Sequence, residues 1–338
     1  MIVDFRSDTL TKPNPGMLEA MLKAPVGDDV FGEDPSVNKL EEMTADLFGM
    51  EAAMYCPTGT MSNQIAIKLH TQPGDEVICH LGSHVYQYEG GGIAFNSGCQ
   101  VRLLSGDYGQ IKATQVAEAI NPADVHKART SLVCIENTSN RGGGSCYQME
   151  EIESIHDECR RHDLKFHLDG ARLFNALIAK NQSPKDFGKL FDTISVCLNK
   201  GLGCPMGSML IGTREMILRA RRIRKVLGGG MRQAGFMAAC GIYALEFHVE
   251  RLREDHLHAR LLSEVIEKKS FTESIYPVET NIIIVNLNKG ESAHQLIEKL
   301  KQENILALAI SPTQVRLVLH LGISRAMVDH TMSRIEMM

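Results

Sequence analysis

Phe166-His167-Leu168-Asp169-Gly170-Ala171-Arg172 is an apolar run that closes on an acidic residue and then a glycine. In an open α/β sheet, ligands sit at strand ends, which makes Asp169 a candidate site residue. A second apolar run, Ile194-Ser195-Val196-Cys197-Leu198, leads in the same way into Asn199-Lys200-Gly201 and presents an amine at an equivalent place. Carboxylate and amine would then face one cavity. A lysine at a strand end taken alone reads first as a solvated surface residue; the joint occurrence is what points to a site.

Outward from this pair, short β-rich runs alternate with amphipathic segments. The runs Ala52 to Cys56, Glu76 to His80, Gln100 to Ser105, Ser131 to Glu136, Lys165 to Asp169, Thr193 to Leu198 and Ser208 to Ile211 predict strands. Gly59 to His70, Thr114 to Ile120 and Met149 to His162 predict helices between them. Leu132-Val133-Cys134-Ile135 is apolar on both faces, the mark of a parallel strand covered on both sides. After a basic helix from Arg214 to Val226 come Gly228-Gly229-Gly230 and a long helical pattern from Met231 to Arg253. Strands at Asn281 to Asn286 and Gln314 to His320, with helices at Ala293 to Asn304 and Ser324 to Glu336, predict a small domain. The expected fold class is α/β: a mostly parallel sheet covered by helices over residues 1–254, with a smaller C-terminal α+β domain over 255–338.

With 338 residues, 43% hydrophobic and 23% charged, the chain is globular and long enough for a large core. A net charge of -5 supplies no basic field for nucleic acid. Nine cysteines are scattered without a Cys-x-x-Cys pair, which argues against a disulfide framework or a zinc site and for buried thiols in a reducing compartment. No apolar run approaches a membrane span and the start lacks a signal core, so the expectation is a cytoplasmic protein with no membrane and no nucleic-acid partner.

Pyridoxal 5'-phosphate (PLP) chemistry needs an amine to bond its aldehyde and a carboxylate to pair with its pyridine nitrogen. Three further stretches suit it. Cys56-Pro57-Thr58-Gly59-Thr60-Met61 opens a helix whose free amides could grip a phosphate, or is a plain helix cap. His84, in Ser83-His84-Val85-Tyr86, could stack on the ring or be structural. Arg232, after the triglycine, could add charge to a phosphate site or be a surface residue beside a hinge.

In this order, and with Arg6-Ser7-Asp8-Thr9-Leu10-Thr11-Lys12-Pro13, Gly27-Asp28-Asp29-Val30-Phe31-Gly32-Glu33-Asp34-Pro35 and Ile135-Glu136-Asn137-Thr138, nearly the whole chain resembles the threonine aldolase family. That family is a branch of the aspartate-aminotransferase fold (fold type I) of PLP enzymes. The resemblance implies Lys200 as the PLP-bonding lysine, Asp169 on the pyridine nitrogen, His84 on the ring, and Gly59, Thr60 and Arg232 at the phosphate. Arg232 would come from a neighbouring subunit, in a homodimer or homotetramer with shared active sites. Arg172 would serve cofactor and substrate alike, holding the substrate carboxylate with Ser7 and Arg316, so that residues 1–15 reach the site. His84 and His126, the latter matching a family histidine near the β-hydroxyl, are the candidate bases. No metal is implied. The family continues Glu-Asn-Thr with His-Asn where this chain has Ser139-Asn140, which implies a changed preference at the β-carbon.

The implied reaction is cleavage of L-threonine or L-allo-threonine to glycine and an aldehyde. The nearest rival is β-elimination on the same fold. A nucleotide-binding dehydrogenase lacks its Gly-x-Gly-x-x-Gly, and Arg219-Ala220-Arg221-Arg222-Ile223-Arg224-Lys225 reads as a helix face or subunit contact before it reads as a nucleic-acid module.

Overall fold

The computed structural model describes residues 1–338. Its centre is a seven-stranded sheet in the spatial order Ala52–Cys56, Ser208–Gly212, Thr193–Cys197, Lys165–Gly170, Thr130–Glu136, Glu76–His80, Gln100–Leu104. All strands run parallel except Ser208–Gly212, which is antiparallel to both neighbours. Every residue of Thr130–Glu136 is buried. Its side chains divide by the two-residue period of a strand: Val133 and Ile135 join the main core, while Leu132 and Cys134 join a second cluster on the opposite face. Two covered faces therefore explain the unbroken apolar run. All nine cysteines lie buried as free thiols, and no helix is long and apolar enough to cross a membrane.

A four-stranded antiparallel sheet, Leu308–Ser311, Gln314–Val318, Ile282–Leu287 and Thr272–Ile275, packs with helices Ala293–Gln302 and Arg325–Glu336 around a separate core. Two features cross between the cores. Val3 and Phe5, at the other end of the chain, are fully buried in this C-terminal core, and Val3–Asp4 pairs in parallel with Ile305–Leu306. Helix Leu252–Ile266 begins with Leu252 in the main core and continues with Ala259, Leu262 and Ile266 in the second.

The long helix expected from Met231 to Arg253 is instead Gly235–Phe247, followed by the separate helix from Leu252. At its start the backbone bonds elsewhere: the Asp29 amide donates to the Arg232 carbonyl and the Gly235 amide to Asp34 Oδ2. At its end His248 is clamped, with Nδ1 2.7 Å from the Leu202 carbonyl and Nε2 3.0 Å from Asn14 Nδ2. The apolar periodicity carried no trace of either tether.

Candidate active site

Parallel strands deliver their C-terminal ends to one edge of the sheet, and helix Gly59–His70 begins at that edge. Ser62 Oγ bonds Ser195 Oγ at 2.6 Å and Ser208 Oγ at 2.9 Å, fastening the first turn of the helix onto two strands. Thr58 caps it, its hydroxyl accepting from the Met61 amide at 3.1 Å. The amides of Gly59 and Thr60 have no intrahelical acceptor and point out of the positive end of the helix dipole. A Cβ on Gly59 would lie 2.5 Å from Cys197 Sγ, so only glycine lets the helix start this close to the strand that leads to Lys200.

Thr58, Gly59, Thr60, His84, Asp169 and Lys200 line one cavity. Asp169 is buried, one oxygen accepting from Asn63 Nδ2 at 3.0 Å and the other from the Ala171 amide at 3.1 Å. His84 Nδ1 lies 2.9 Å from Glu89 Oε1, and its backbone amide donates to Glu136 Oε2 at 2.7 Å. Buried Glu89 also accepts from Asn63 Nδ2 at 2.9 Å and from Gln64 Nε2 at 2.6 Å. Burial disfavours the His84 cation, but Glu89 and Asp169 outweigh it and raise the imidazole above its ordinary value. Since carboxylate oxygens accept, Nδ1 carries the proton toward Glu89, and Nε2 of this cavity-lining residue has no partner in the chain. Below this layer burial pushes His167 down to about 4, so it is neutral where it meets Asn63 Oδ1.

At the other end of the site, the Arg172 guanidinium grips Asp8 with Nε and Nη2 at 2.7 and 2.8 Å. Burial works against the Asp8 carboxylate, yet Arg172 holds it down at about 2. Arg172 Nη1 and Arg316 Nη1 both donate to Asn140 Oδ1, at 3.3 and 2.9 Å, which sets the two arginines side by side. Arg316 Nε is buried without a partner, a donor pre-aimed for an absent acceptor. Ser7 Oγ accepts from the Thr9 amide and hydroxyl, leaving its own proton free.

The structure does not bring two of the sequence candidates into this cavity. His126 is 85% exposed and pairs with Asp124 just before strand Thr130–Glu136, at the opposite edge of the sheet from Lys200. Arg232 is exposed, bonded to Asp28 Oδ2 at 2.8 Å and set over the Phe31 ring. Ser139, where a family histidine was expected, is also turned away. Its Oγ accepts from the Gly142 amide at 3.1 Å and packs where a Cβ on Gly109 would fall, so it shapes the 139–145 loop rather than the pocket. Sequence reading gave no role to Glu89, Asn63, Glu136 or Asn140; the one signal was that Glu136 opens the Glu-Asn-Thr motif and Asn140 follows it two residues on. Two charges of the basic helix are used inside the fold, Arg221 on Glu41 and Arg224 on Asp29, while Arg222 and Lys225 stay exposed.

His84, Glu89 and Asp169 also offer ligand atoms within 4.8 Å of one another. Asn63, Gln64 and each other already occupy these groups, which suits a hydrogen-bonded network better than a cation. The donor set fits PLP. When PLP is bound, the helix N-terminus would hold its phosphate, the pre-oriented Asp169 carboxylate its pyridine nitrogen, Lys200 its aldehyde and the His84 ring its face. Fold and site together define a PLP-dependent enzyme of fold type I.

The family model described as beta-eliminating lyase matches residues 4–289. A low specificity L-threonine aldolase of Escherichia coli is 43% identical over 96% of this chain and 95% of that protein, and a probable low-specificity L-threonine aldolase of Arabidopsis thaliana is 38% identical over 99% and 96%. A Leishmania major threonine aldolase superposes with a TM-score of 0.88 at 21% identity, covering 99% of both chains. The chain belongs to the beta-eliminating lyase family, among relatives named low-specificity L-threonine aldolase.

Proposed function

We infer that this protein is an aldehyde-lyase that cleaves L-threonine and L-allo-threonine, and β-hydroxy-α-amino acids generally, to glycine and an aldehyde. The observation that carries this reading is the paired guanidinium grip of Arg172 and Arg316, bridged by Asn140, opposite Lys200 and Asp169 in a chain whose full-length relatives bear that name. PLP, when bound, supplies an electron sink for the pair released as the Cα–Cβ bond breaks. The chain does the rest. Arg316 and the free edge of Arg172, with the Ser7 hydroxyl, hold the α-carboxylate and so set which bond at Cα stands perpendicular to the ring. His84 Nε2 takes the proton of the β-hydroxyl, and Glu89 on Nδ1 stabilises the charge that then forms on the imidazole. Asp169 is held in place for the pyridine nitrogen by the donors of Asn63 and the Ala171 amide.

His126 has no place in this account within one chain, since it lies at the far edge of the sheet. Arg232 reaches a phosphate only if a second copy presents it. Exposed Phe31, against which Arg232 lies, and exposed Leu22, Phe95 and Phe247 support an assembly of at least two copies.

Release of glycine and acetaldehyde from L-threonine and L-allo-threonine, but not from their D-forms, is the expected outcome with PLP supplied. Ammonia and a 2-oxo acid in their place would establish β-elimination, the second reading, which the family model's description favours. Lys200→Ala is expected to abolish both turnover and the visible absorbance of the lysine-bound cofactor; retained catalysis would remove Lys200 from its role.

A further inference from the structure

Three guanidinium groups, those of Arg172, Arg316 and Arg141, gather at one end of the site, and only one of them has an acidic partner in the chain. Asp8 neutralises Arg172. Arg316 donates to Asn140 Oδ1 and, at 3.1 Å, to the Arg6 carbonyl. Arg141, next to Asn140 in the chain, donates from Nε to the Tyr88 hydroxyl at 2.5 Å and from Nη1 to the Ile310 carbonyl at 3.4 Å. Its guanidinium carbon lies 5.0 Å from the centre of the Tyr88 ring, and that ring lies 5.7 Å from the His84 ring. Arg141 thus stands on the His84 side of the cleft, where the β-substituent of a substrate held by Arg316 would project.

The nearby carboxylates are committed elsewhere. Asp169 and Glu89 are tied to Asn63, and Glu136 accepts the backbone amides of His84 and Asn140. A substrate α-carboxylate answers the charge of Arg316, which leaves Arg141 with neutral partners alone. We propose that Arg141 receives a second carboxylate, borne on the fragment that leaves as the aldehyde, so that the site takes dicarboxylic β-hydroxy-α-amino acids of the 3-hydroxyaspartate kind. Burial, and then the neighbouring Arg172 and Arg141, push Arg316 down to about 10, as an excess of positive charge in the cleft would. The reaction balances without a co-reactant: the Cα–Cβ bond breaks, the β-hydroxyl loses its proton as its carbon becomes a carbonyl, and Cα gains a proton, giving glycine and glyoxylate. A guanidinium fork set opposite the reacting bond would orient the leaving carbonyl as well as select it.

This substrate class rests on the aldolase reading, and the two fail separately. Glycine release by the PLP-loaded enzyme is compared for the L-isomers of 3-hydroxyaspartate and for L-threonine and L-allo-threonine. The diacid is expected to lead in kcat/KM by about ten-fold or more, the scale of one charge-assisted pair. In Arg141→Met that ratio falls by about ten-fold or more through KM, and Arg141→Lys retains part of it. Threonine cleaved as well as the diacid by the wild type, or a ratio unmoved in Arg141→Met, overturns the proposal and leaves the aldolase standing. Glycine from none of the substrates overturns both. Should the variants fail to fold, inhibition of the wild type decides. L-aspartate is expected to compete at about ten-fold lower concentration than L-2-aminobutyrate, and equal competition overturns the assignment of Arg141.

Discussion

Asp169 enters the cavity already oriented, held by Asn63 at 3.0 Å and by the Ala171 amide at 3.1 Å, and Lys200 arrives from the next strand of the sheet. Arg316 differs in having a buried Nε without a partner in the chain, a donor that a bound carboxylate would satisfy. Arg316→Ala is expected to raise KM for the amino acid about 10- to 100-fold, the worth of a charge-assisted bond, with a smaller change in kcat; steady-state kinetics with an unchanged KM would remove it from the carboxylate grip. Asp255 tests electrostatics away from the chemistry. Burial pushes its carboxyl from 3.8 up to about 7 despite the Arg251 guanidinium at 2.5 Å, and its Oδ2 has no partner. Between those two values the folded chain keeps a proton that the unfolded chain has released. The stability that Asp255 contributes is therefore complete below the unfolded value and lost as pH rises through about 7. Asparagine does not ionise, so Asp255→Asn is expected to gain on the wild type by up to about 1.4 kcal/mol per pH unit across that window. Urea unfolding compared at several pH values between 3.8 and about 7 measures the gap; a gap independent of pH there would mean that Asp255 stays ionised.

Helix Gly59–His70 shows how an element becomes a binding device. Its turn-opening residues were readable because a Thr cap followed by Gly and Thr is a local signal. The Ser62, Ser195 and Ser208 hydroxyls that seat it are far apart in the chain, and no periodicity announces them. Gly59→Ala is expected to weaken PLP binding about ten-fold or more, because the new methyl would fall 2.5 Å from Cys197 Sγ and the first amides would have to retreat from the phosphate. Titration of the cofactor absorbance checks this, and wild-type affinity in Gly59→Ala would mean that the phosphate is gripped elsewhere. The neighbouring short helix His84–Gln87 has no such tolerance of its own, being fixed through Glu136 and Glu89. Buried acids of that kind look in sequence like any surface glutamate.

The N-terminal segment binds the halves of the molecule together. Val3 and Phe5 fill the C-terminal core while Asp8, three residues on, holds Arg172 beside the main sheet, so the two cores are joined by the N-terminal segment as well as by helix Leu252–Ile266. Surface chemistry points to further assembly: Phe31 is 73% exposed, Phe95 89% and Leu22 77%. Sedimentation is expected to show a dimer or larger, and Phe31→Asp, beside Arg232, to weaken association and PLP binding together. A fully active monomer would refute the sharing of Arg232.

Asp169, Lys200, His84 and Gly59, which the fold gathers around one cavity, could be picked out of the sequence as candidates because each belongs to a strand end or helix start. The seven strands of the main sheet were legible as short β-rich runs, Thr130–Glu136 most plainly, since its two covered faces write an unbroken apolar run. Long-range geometry decided the rest. The neighbourhood of Asp8 with Arg172, of Glu89 with His84 and of Arg141 with Tyr88 arises only when separate elements pack, as does the exile of His126 from its own cavity. Residue type and spacing specify which chemistry a strand end can offer, whereas which charges stay paired and which await a substrate depends on contacts between elements, and those exist only in the folded chain.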